Sequence, residues 1–296
     1  MKKIVLTAAL FSMFPYWTQA AEASLRILIV NDDGCESPGS TSLQEKLTAK
    51  GYDVWLVAPE TNQSGIGSAI TFKTGKLFDV KKTGNKRYCF PGTPADAIDF
   101  GLWGLLKNNA PDLIISGVNY GPNTGMSQTN SGTVNAAVRA VRYGFPALAA
   151  SIGFIYTDEE LKNKWPSTQK FWPDSVDYVV SVIDKLNANK KTGYPVLPKG
   201  SGLSINYPAL PKEDVKGVHY INNEEFPTPE IGYELMADGK ARQTLNPAIM
   251  EPNQKDTDSG WLNKGYITYT LFDGSWNAPQ LQKQYEALLK DASGVH

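Results

Sequence analysis

The first two thirds of the chain alternate short apolar runs with amphipathic segments. The apolar runs lie at 25–30, 54–58, 88–90, 113–115 and 147–150. Segments with helical spacing of apolar residues separate them, at 42–51, from Pro94 onward and at about 133–143. Nearly continuous apolar strands are typical of a parallel sheet covered by helices on both faces. The pattern therefore predicts an α/β fold with a doubly wound, mainly parallel sheet.

The last third of the chain is less regular. An amphipathic helix is predicted at 176–186, and strands are predicted at 203–206 and 266–270. Between these strands, residues 208–260 are rich in Pro, Asn, Asp and Glu, which favours hairpins and long loops. We expect one domain over 21–296, with a core at about 25–207 and an irregular β-hairpin and helix extension at about 208–296.

The N-terminus has the pattern of a secretory signal peptide. Lys2 and Lys3 precede an apolar stretch at 4–14, and small Ala20 follows polar residues. The stretch is shorter than the roughly 20 residues that span a bilayer. The alternative is an apolar first strand or helix of the domain. We expect 1–20 to be a signal peptide, and the mature protein to act in a periplasm or outside the cell without a membrane anchor.

Charge and histidine content narrow the chemistry. The 296 residues include 29 Lys and Arg against 30 Asp and Glu, so no broad surface for a nucleic-acid polymer or an anionic membrane is expected. The two histidines are His219 and the terminal His296. His219 lies in an alternating segment that resembles a strand, so a structural role is expected for it. Chemistry then depends on carboxylates, hydroxyls, amides and a hard metal ion.

Two cysteines, Cys35 and Cys89, belong to the exported part of the chain. An oxidising compartment favours a disulfide between them, but their spacing does not show that the side chains meet. A disulfide and two unlinked thiols both remain open.

Three polar clusters follow predicted strands, at 31–34, 62–65 and 117–123. The carboxyl ends of parallel strands share one edge of a sheet, where ligands bind. Asp32 and Asp33 would repel each other there without a cation. With the Ser64 hydroxyl and the Asn119 carbonyl they form an all-oxygen set suited to Mg²⁺, Mn²⁺ or Ca²⁺. The alternative is that 31–34 is only a turn.

A glycine-rich stretch at 116–125 and the helix start at 130–133 offer backbone N–H groups to an anion. Such groups favour phosphate at this sheet edge. A long structural loop without a ligand is the alternative.

Together these motifs resemble the stationary-phase survival protein SurE family of metal-dependent nucleotidases. The matching stretches, in consistent order, are 26–34, 57–60 with 63–65, 92–96, 116–123, 131–134, 206–208, 257–258 and 265–267. The resemblance implies a Rossmann-like core and hydrolysis of nucleoside 5′- and 3′-monophosphates. It also implies a homodimer or homotetramer that exchanges C-terminal elements. Export would depart from most of the family and favours phosphate scavenging outside the cytoplasm.

The resemblance also assigns residues. One divalent ion per subunit, Mg²⁺ or Mn²⁺ with Ca²⁺ as an alternative occupant, would be held by Asp32, Asp33, Ser64 and Asn119. The phosphate pocket would be lined by Asn31, Asn123, Ser131, Gly132 and Thr133. Asp32 and Asp33 would be catalytic, with a water molecule or Asp32 as the nucleophile. The rival functions are a broad-specificity secreted acid phosphatase and a nucleotide- or phosphate-binding protein without turnover.

Overall fold

A computed structural model of the protein describes residues 24–191, 193–221, 231–245, 256–275 and 279–289. The expected signal peptide at 1–20 lies outside these residues. The strands are β1 (Arg26–Val30), β2 (Asp53–Pro59), β3 (Lys81–Gly84), β4 (Arg87–Phe90), β5 (Leu113–Tyr120), β6 (Ala147–Ile152), β7 (Gly202–Tyr207), β8 (Val218–Tyr220), β9 (Ile231–Leu235), β10 (Ala241–Leu245) and β11 (Ile267–Phe272). The helices are α1 (Pro38–Ala49), α2 (Pro94–Asp99, continued by a π-helical segment at Phe100–Leu105), α3 (Ser127–Asn130), α4 (Gly132–Arg142), α5 (Asp158–Lys162), α6 (Pro166–Asn189), α7 (Asp258–Asn263) and α8 (Gln282–Leu289).

Nine of the described strands form the central sheet, in the order β3-β4-β2-β1-β5-β6-β7-β11-β8. Strands β4, β2, β1, β5, β6 and β7 run parallel to one another, whereas β3 and β11 pair antiparallel with β4 and β7. The predicted fold class, an α/β fold with a mainly parallel Rossmann-like sheet, is confirmed.

Two apolar layers bury the faces of the sheet. Successive residues of a strand point to opposite faces. In β1, Ile27 and Ile29 therefore pack in the layer with α1 and α6, whereas Leu28 and Val30 pack in the layer with α2 and α4. All four are fully buried, which explains why β1 has a continuous apolar sequence instead of an alternating one.

Strand β5 is longer than the sequence pattern predicted. We expected the strand to end near 115, but it continues to Tyr120 through part of the glycine-rich stretch. Gly117 permits this because its φ is +127° and a Cβ there would lie 2.2 Å from the Ala150 carbonyl oxygen of β6. The register between β5 and β6 shifts between Ser116 and Asn119. Asn119 is thus held on a strand and not on a flexible loop.

Two helices also begin earlier than predicted. Helix α1 starts at Pro38 and α6 starts at Pro166, ten residues before the expected start near 176. Proline is well tolerated in the first helical turn, where its missing N–H has no intrahelical partner. Among the described helices, none combines the length and the apolar character needed to cross a bilayer.

The C-terminal part divides between the sheet and a separate hairpin. Strands β8 and β11 join the central sheet, so part of the expected extension belongs to it. Among the described residues, strands β9 and β10 pair only with each other. His219 of β8 stacks on Trp261, with ring centroids 3.6 Å apart, which is the structural role expected for it. The domain boundary near 207 stays a prediction.

Candidate active site

The strand order changes direction at β1, which lies between β2 and β5. In sheets of this type, ligands bind outside the carboxyl ends of the strands at such a switch point. Asp32 and Asp33 follow the end of β1 after one residue, Asn31, and Asn119 is the penultimate residue of β5. The fold therefore brings the carboxylate pair and Asn119 to the same crevice.

Asn31 shapes the turn that carries the two aspartates. Its Nδ2 donates to the Gly34 carbonyl at 2.8 Å and to Ser40 Oγ at 2.6 Å, and its Oδ1 accepts from the Gly34 N–H at 3.1 Å. Both amide hydrogens are thus used within the protein. The structure places this side chain in the turn, although the family resemblance assigned it to the phosphate.

Asp32 is bound by the N-terminus of α4. Its Oδ2 accepts from the Thr133 N–H at 3.1 Å and its Oδ1 from Thr133 Oγ1 at 2.5 Å, and the side chain is only 3% exposed. Backbone N–H groups at a helix N-terminus favour a negative charge. The N-terminus of α4 therefore binds a carboxylate of the protein itself, that of Asp32. The sequence pattern did not reveal this contact.

Gly132 allows this close approach. A Cβ at Gly132 would lie 2.7 Å from Cβ of Asp32 and 2.9 Å from its Oδ2, closer than real Cβ atoms come. Ser131 precedes it as the N-cap, and its Oγ accepts from the Val134 N–H at 2.9 Å. The sequence at 131–133 is thus explained by the cap, the close approach and the bond to Asp32.

Asp33 points to a different neighbour. Its Oδ2 accepts from the Tyr120 N–H of β5 at 3.0 Å. Burial and, next, the negative charge of Asp32 raise the pKa of Asp33 to about 7, against the lowering effect of the Tyr120 bond. Burial also raises the pKa of Asp32, and its hydrogen bonds to Thr133 oppose that shift. A cation between the two carboxylates would relieve the cost of ionising both.

The other two predicted metal ligands differ in how firmly they are held. Asn119 is 8% exposed, and its Nδ2 donates to the Gly121 carbonyl at 2.8 Å; no described group donates to its Oδ1, the atom that a metal would bind. Ser64 is exposed in the loop after β2. Gln63 beside it donates its N–H to the Asp32 carbonyl at 2.7 Å, which anchors the loop at the crevice. The donor set is all oxygen, as a hard cation requires.

Asn123 and Asn206 form a buried pair behind the crevice. The Asn123 N–H donates to Asn206 Oδ1 at 2.8 Å, and Asn206 Nδ2 donates to the Asn123 carbonyl at 3.2 Å. Asn123 Nδ2 donates to Ser151 Oγ at 2.8 Å. Strand β7 thereby fixes the segment after β5. Sequence reasoning noted 206–208 only as a family landmark and missed this positioning role.

Asp258 is a second residue that sequence reasoning left without a role. It is fully buried at the start of α7, and its Oδ2 accepts from the Gly125 N–H at 3.0 Å and from Gln128 Nε2 at 3.1 Å. A carboxylate from the C-terminal part thus holds the loop between β5 and α4. A Thr-Asp pair before a helix is an N-cap signal, but it does not say which loop the Asp binds.

A disulfide joins Cys35 to Cys89, with Cα atoms 5.2 Å apart, which settles the alternative left open by the sequence. Cys35 follows the aspartate turn by one residue, and Cys89 lies in β4. The Cys35 N–H also donates to the Pro59 carbonyl of β2 at 2.8 Å. The turn is therefore covalently fixed to the sheet on the side opposite to β5.

Comparison with known proteins shows the family. The family described as "Survival protein SurE" matches residues 27–226. The 5′-nucleotidase SurE of Paramagnetospirillum magneticum is 40% identical over 217 residues, which cover 73% of this chain and 75% of that protein. The 5′-nucleotidase SurE of a Jannaschia species is 30% identical over 274 residues, covering 89% of this chain and all of that protein.

A solved structure agrees with these sequence matches. The crystal structure of the SurE protein from Aquifex aeolicus superposes with a TM-score of 0.68 at 28% identity, and the match covers 89% of this chain and 99% of the other. Sequence and fold thus agree over most of the chain, and the protein belongs to the SurE family.

Proposed function

We propose that the protein hydrolyses nucleoside 5′- and 3′-monophosphates to a nucleoside and phosphate with the help of one divalent metal ion. Family membership makes the chain a nucleotidase. Beyond family membership, we propose that the enzyme accepts phosphate at the 5′ or 3′ position of the sugar and that it requires a metal ion. It is carried by one observation: two adjacent carboxylates lie in the switch-point crevice, each held by a different backbone N–H.

The residues present fit a hard divalent cation. We propose Asp32, Asp33, Ser64 and Asn119 as its ligands and Mg²⁺ or Mn²⁺ as the ion, with Ca²⁺ as an alternative occupant. When bound, the ion supplies positive charge that stabilises the phosphoryl oxygens and lowers the pKa of bound water. The protein supplies the turn and the hydrogen bonds from Thr133 and Tyr120 that orient the two carboxylates.

Water is the proposed nucleophile. Both oxygens of Asp32 accept hydrogen bonds from Thr133, which anchors this carboxylate in place and disfavours its attack on phosphorus. The water oxygen forms the new bond to phosphorus as the ester bond to the sugar oxygen breaks. One proton of the water ends on the leaving sugar oxygen, the other stays on the phosphate, and the phosphate departs as the second product. A phospho-enzyme trapped on Asp32 would contradict this mechanism.

The phosphate would lie between α4 and the segment after β5. We propose that Ser131, Gly132 and Thr133 contribute the positive end of the α4 dipole and that Asn123 borders the pocket. Asn31 then acts through the turn and not by direct contact. Fixed dipoles of this kind stabilise the charge that develops in the transition state.

The test is phosphate release from a panel of 5′- and 3′-nucleoside monophosphates. Each assay uses the mature protein after EDTA treatment, and again after Mg²⁺ or Mn²⁺ is returned. We expect no release after EDTA and recovery with metal, with nucleotides preferred over a simple aryl phosphate. Equal turnover of the aryl phosphate would favour the acid phosphatase instead, and nucleotide binding without release would favour the binding protein.

A matched pair of variants connects the activity to the crevice. Asp33→Asn removes the charge while keeping the size, and we expect it to lose nearly all release while remaining folded. Asp177→Asn makes the same change at an exposed carboxylate on α6 that pairs with Lys46, and we expect it to keep full activity. Equal turnover by the two variants would contradict the assignment.

We also propose export to a periplasm or to the outside of the cell. The signal-like sequence at 1–20 supports it, and so does the Cys35–Cys89 disulfide, since disulfides persist in oxidising compartments. Expression of the full chain followed by cell fractionation and N-terminal sequencing tests this. Export predicts a processed form outside the cytoplasm, and an intact N-terminus on cytoplasmic protein would contradict it.

A homodimer or homotetramer is the proposed assembly. On β9, Ile231, Tyr233 and Leu235 share one face of the hairpin and are 47%, 70% and 79% exposed. An isolated two-stranded hairpin is only marginally stable in water, so packing against a second subunit would stabilise it. Light scattering of Tyr233→Glu should show a monomer, with Glu234→Gln on the other face as the control. A wild-type monomer would contradict the proposal.

A further inference from the structure

A cavity of about 520 Å³ opens between α1, α6 and the end of β5. Its wall includes the rings of Tyr120 and Trp172 together with Pro38, Ser42, Gln169 and Val176. The volume falls within the roughly 300–1,000 Å³ typical of small-molecule pockets. Among the described residues that line it, none is charged. The cavity suits an uncharged, planar group better than a phosphate.

This cavity adjoins the aspartate crevice. Tyr120 contributes its ring to the cavity wall and its backbone N–H to Asp33 Oδ2, 3.0 Å away. Pro38 begins α1, the helix that follows the aspartate turn. A molecule bound in the crevice through one end would therefore have the cavity beside it.

The two aromatic rings are fixed in place. Their centroids are 5.2 Å apart with planes inclined by 55°. Trp172 Nε1 donates to the Val118 carbonyl at 3.0 Å, and Tyr120 Oη donates to the Lys164 carbonyl at 2.8 Å. The polar atom of each ring is thus bonded within the protein, and these bonds fix the orientation of both rings.

Polar groups at the rim of the cavity can form hydrogen bonds with the edge of a planar ring system. The Ser42 hydroxyl can donate or accept, and the exposed Gln169 amide can accept through its carbonyl oxygen. The NH₂ group of Gln169 already donates to Tyr120 Oη at 3.4 Å and to the Lys164 carbonyl at 3.3 Å. Pockets that combine aromatic walls with a few polar groups are typical of small-molecule sites. Stacking on aromatic side chains tolerates any of the bases, because every base has a π-face.

We propose that this cavity binds the nucleobase of the substrate, with Tyr120 and Trp172 as the stacking surface and Ser42 and Gln169 at its edge. The proposal rests on the proposed nucleotidase function, since it places the base on the α1–α6 side of a phosphate held at the aspartates. It predicts a preference for nucleotides over sugar phosphates without a base.

The experiment compares KM for 5′-AMP with KM for ribose 5-phosphate, which lacks the base. Trp172→Ala removes a stacking ring, and Ser42→Phe fills the cavity. Thr48→Phe places the same new ring elsewhere on α1 and serves as the control. Trp172→Ala and Ser42→Phe should each raise KM for 5′-AMP about tenfold, while kcat/KM for ribose 5-phosphate stays within about twofold. The control Thr48→Phe should behave as the wild type.

A second measurement keeps the pocket separate from the catalytic claim. Calorimetric titration of the Mg²⁺-loaded protein with adenosine needs no phosphate release. Binding to the wild type that is lost in Trp172→Ala and Ser42→Phe supports the pocket, even if the wild type releases no phosphate and the nucleotidase proposal fails. Unchanged KM for 5′-AMP in both variants, or an equal loss with ribose 5-phosphate, would overturn the assignment.

Discussion

Thr133→Val removes one hydrogen bond at the centre of the site with little change in shape. The Thr133 hydroxyl donates to Asp32 Oδ1 at 2.5 Å, and both residues are almost fully buried. Valine keeps the volume and the branching at Cβ, and the backbone N–H at 133 still donates to Oδ2. The variant therefore tests what the hydroxyl contributes to the position of the carboxylate.

The size of the effect follows from the charge of the acceptor. A hydrogen bond to a charged group contributes about 1.5–3 kcal/mol, and water cannot easily replace it here because Asp32 is only 3% exposed. Groups that orient a metal ligand typically contribute about 10- to 100-fold in metal affinity. We therefore expect Thr133→Val to weaken Mn²⁺ binding by about 10- to 100-fold.

The assay is a Mn²⁺ titration of the metal-free protein, followed by electron paramagnetic resonance of the unbound ion. Thr168→Val is the matched control, because its hydroxyl is also fully buried and donates to the Gly153 carbonyl at 2.7 Å, outside the site. That control should lose stability by about 1–3 kcal/mol and keep the metal affinity of the wild type. Thr133→Ser should restore most of the affinity.

Unchanged Mn²⁺ affinity in Thr133→Val would refute the reasoning. If KM for the nucleotide then rises instead, Thr133 contacts the phosphate directly, as the family resemblance alone suggests. If neither constant changes, the bond to Asp32 has only a structural role.

Three further changes test other parts of the site. Gly132→Ala should push Asp32 away, because the new Cβ would lie 2.7 Å from that residue's Cβ, and metal-dependent release should fall more than about tenfold. Cys89→Ser opens a cross-link between residues 54 apart and should lower the free energy of unfolding in urea by about 4 kcal/mol, with no further loss on adding dithiothreitol. Asn206→Leu leaves the buried N–H and carbonyl of Asn123 unpaired. The free energy of unfolding, measured by urea unfolding, should fall by about 1–3 kcal/mol for each group.

The sequence predicts the sheet well because each buried strand is a continuous apolar run. The residues of β1 alternate between the two apolar layers, so the run itself indicates helices on both faces. The start of α2 was also predictable from the sequence: Thr93 caps it, and Pro94 occupies the first helical position as expected. The end of β5 was not predictable, because a glycine such as Gly117 indicates a loop unless its neighbour in β6 is known.

The candidate site was likewise predictable only in part. Asp32, Asp33 and Asn119 were located from their positions after strands, and the fold brings them to one crevice. The partners of the two aspartates were not predictable, since Thr133 lies 101 residues from Asp32 and Tyr120 lies 87 residues from Asp33. Such contacts depend on the order of strands in the sheet, which spacing along the chain does not specify.

The central claim is that the carboxylate pair holds a divalent ion on which phosphate release depends. Anomalous scattering from crystals of the mature protein grown with Mn²⁺ tests it most directly. The account predicts a single strong peak between the side chains of Asp32, Asp33 and Asn119, absent from crystals of Asp33→Asn. A crevice without a peak in crystals of protein that is active with Mn²⁺, or a peak that persists in Asp33→Asn, would contradict the account.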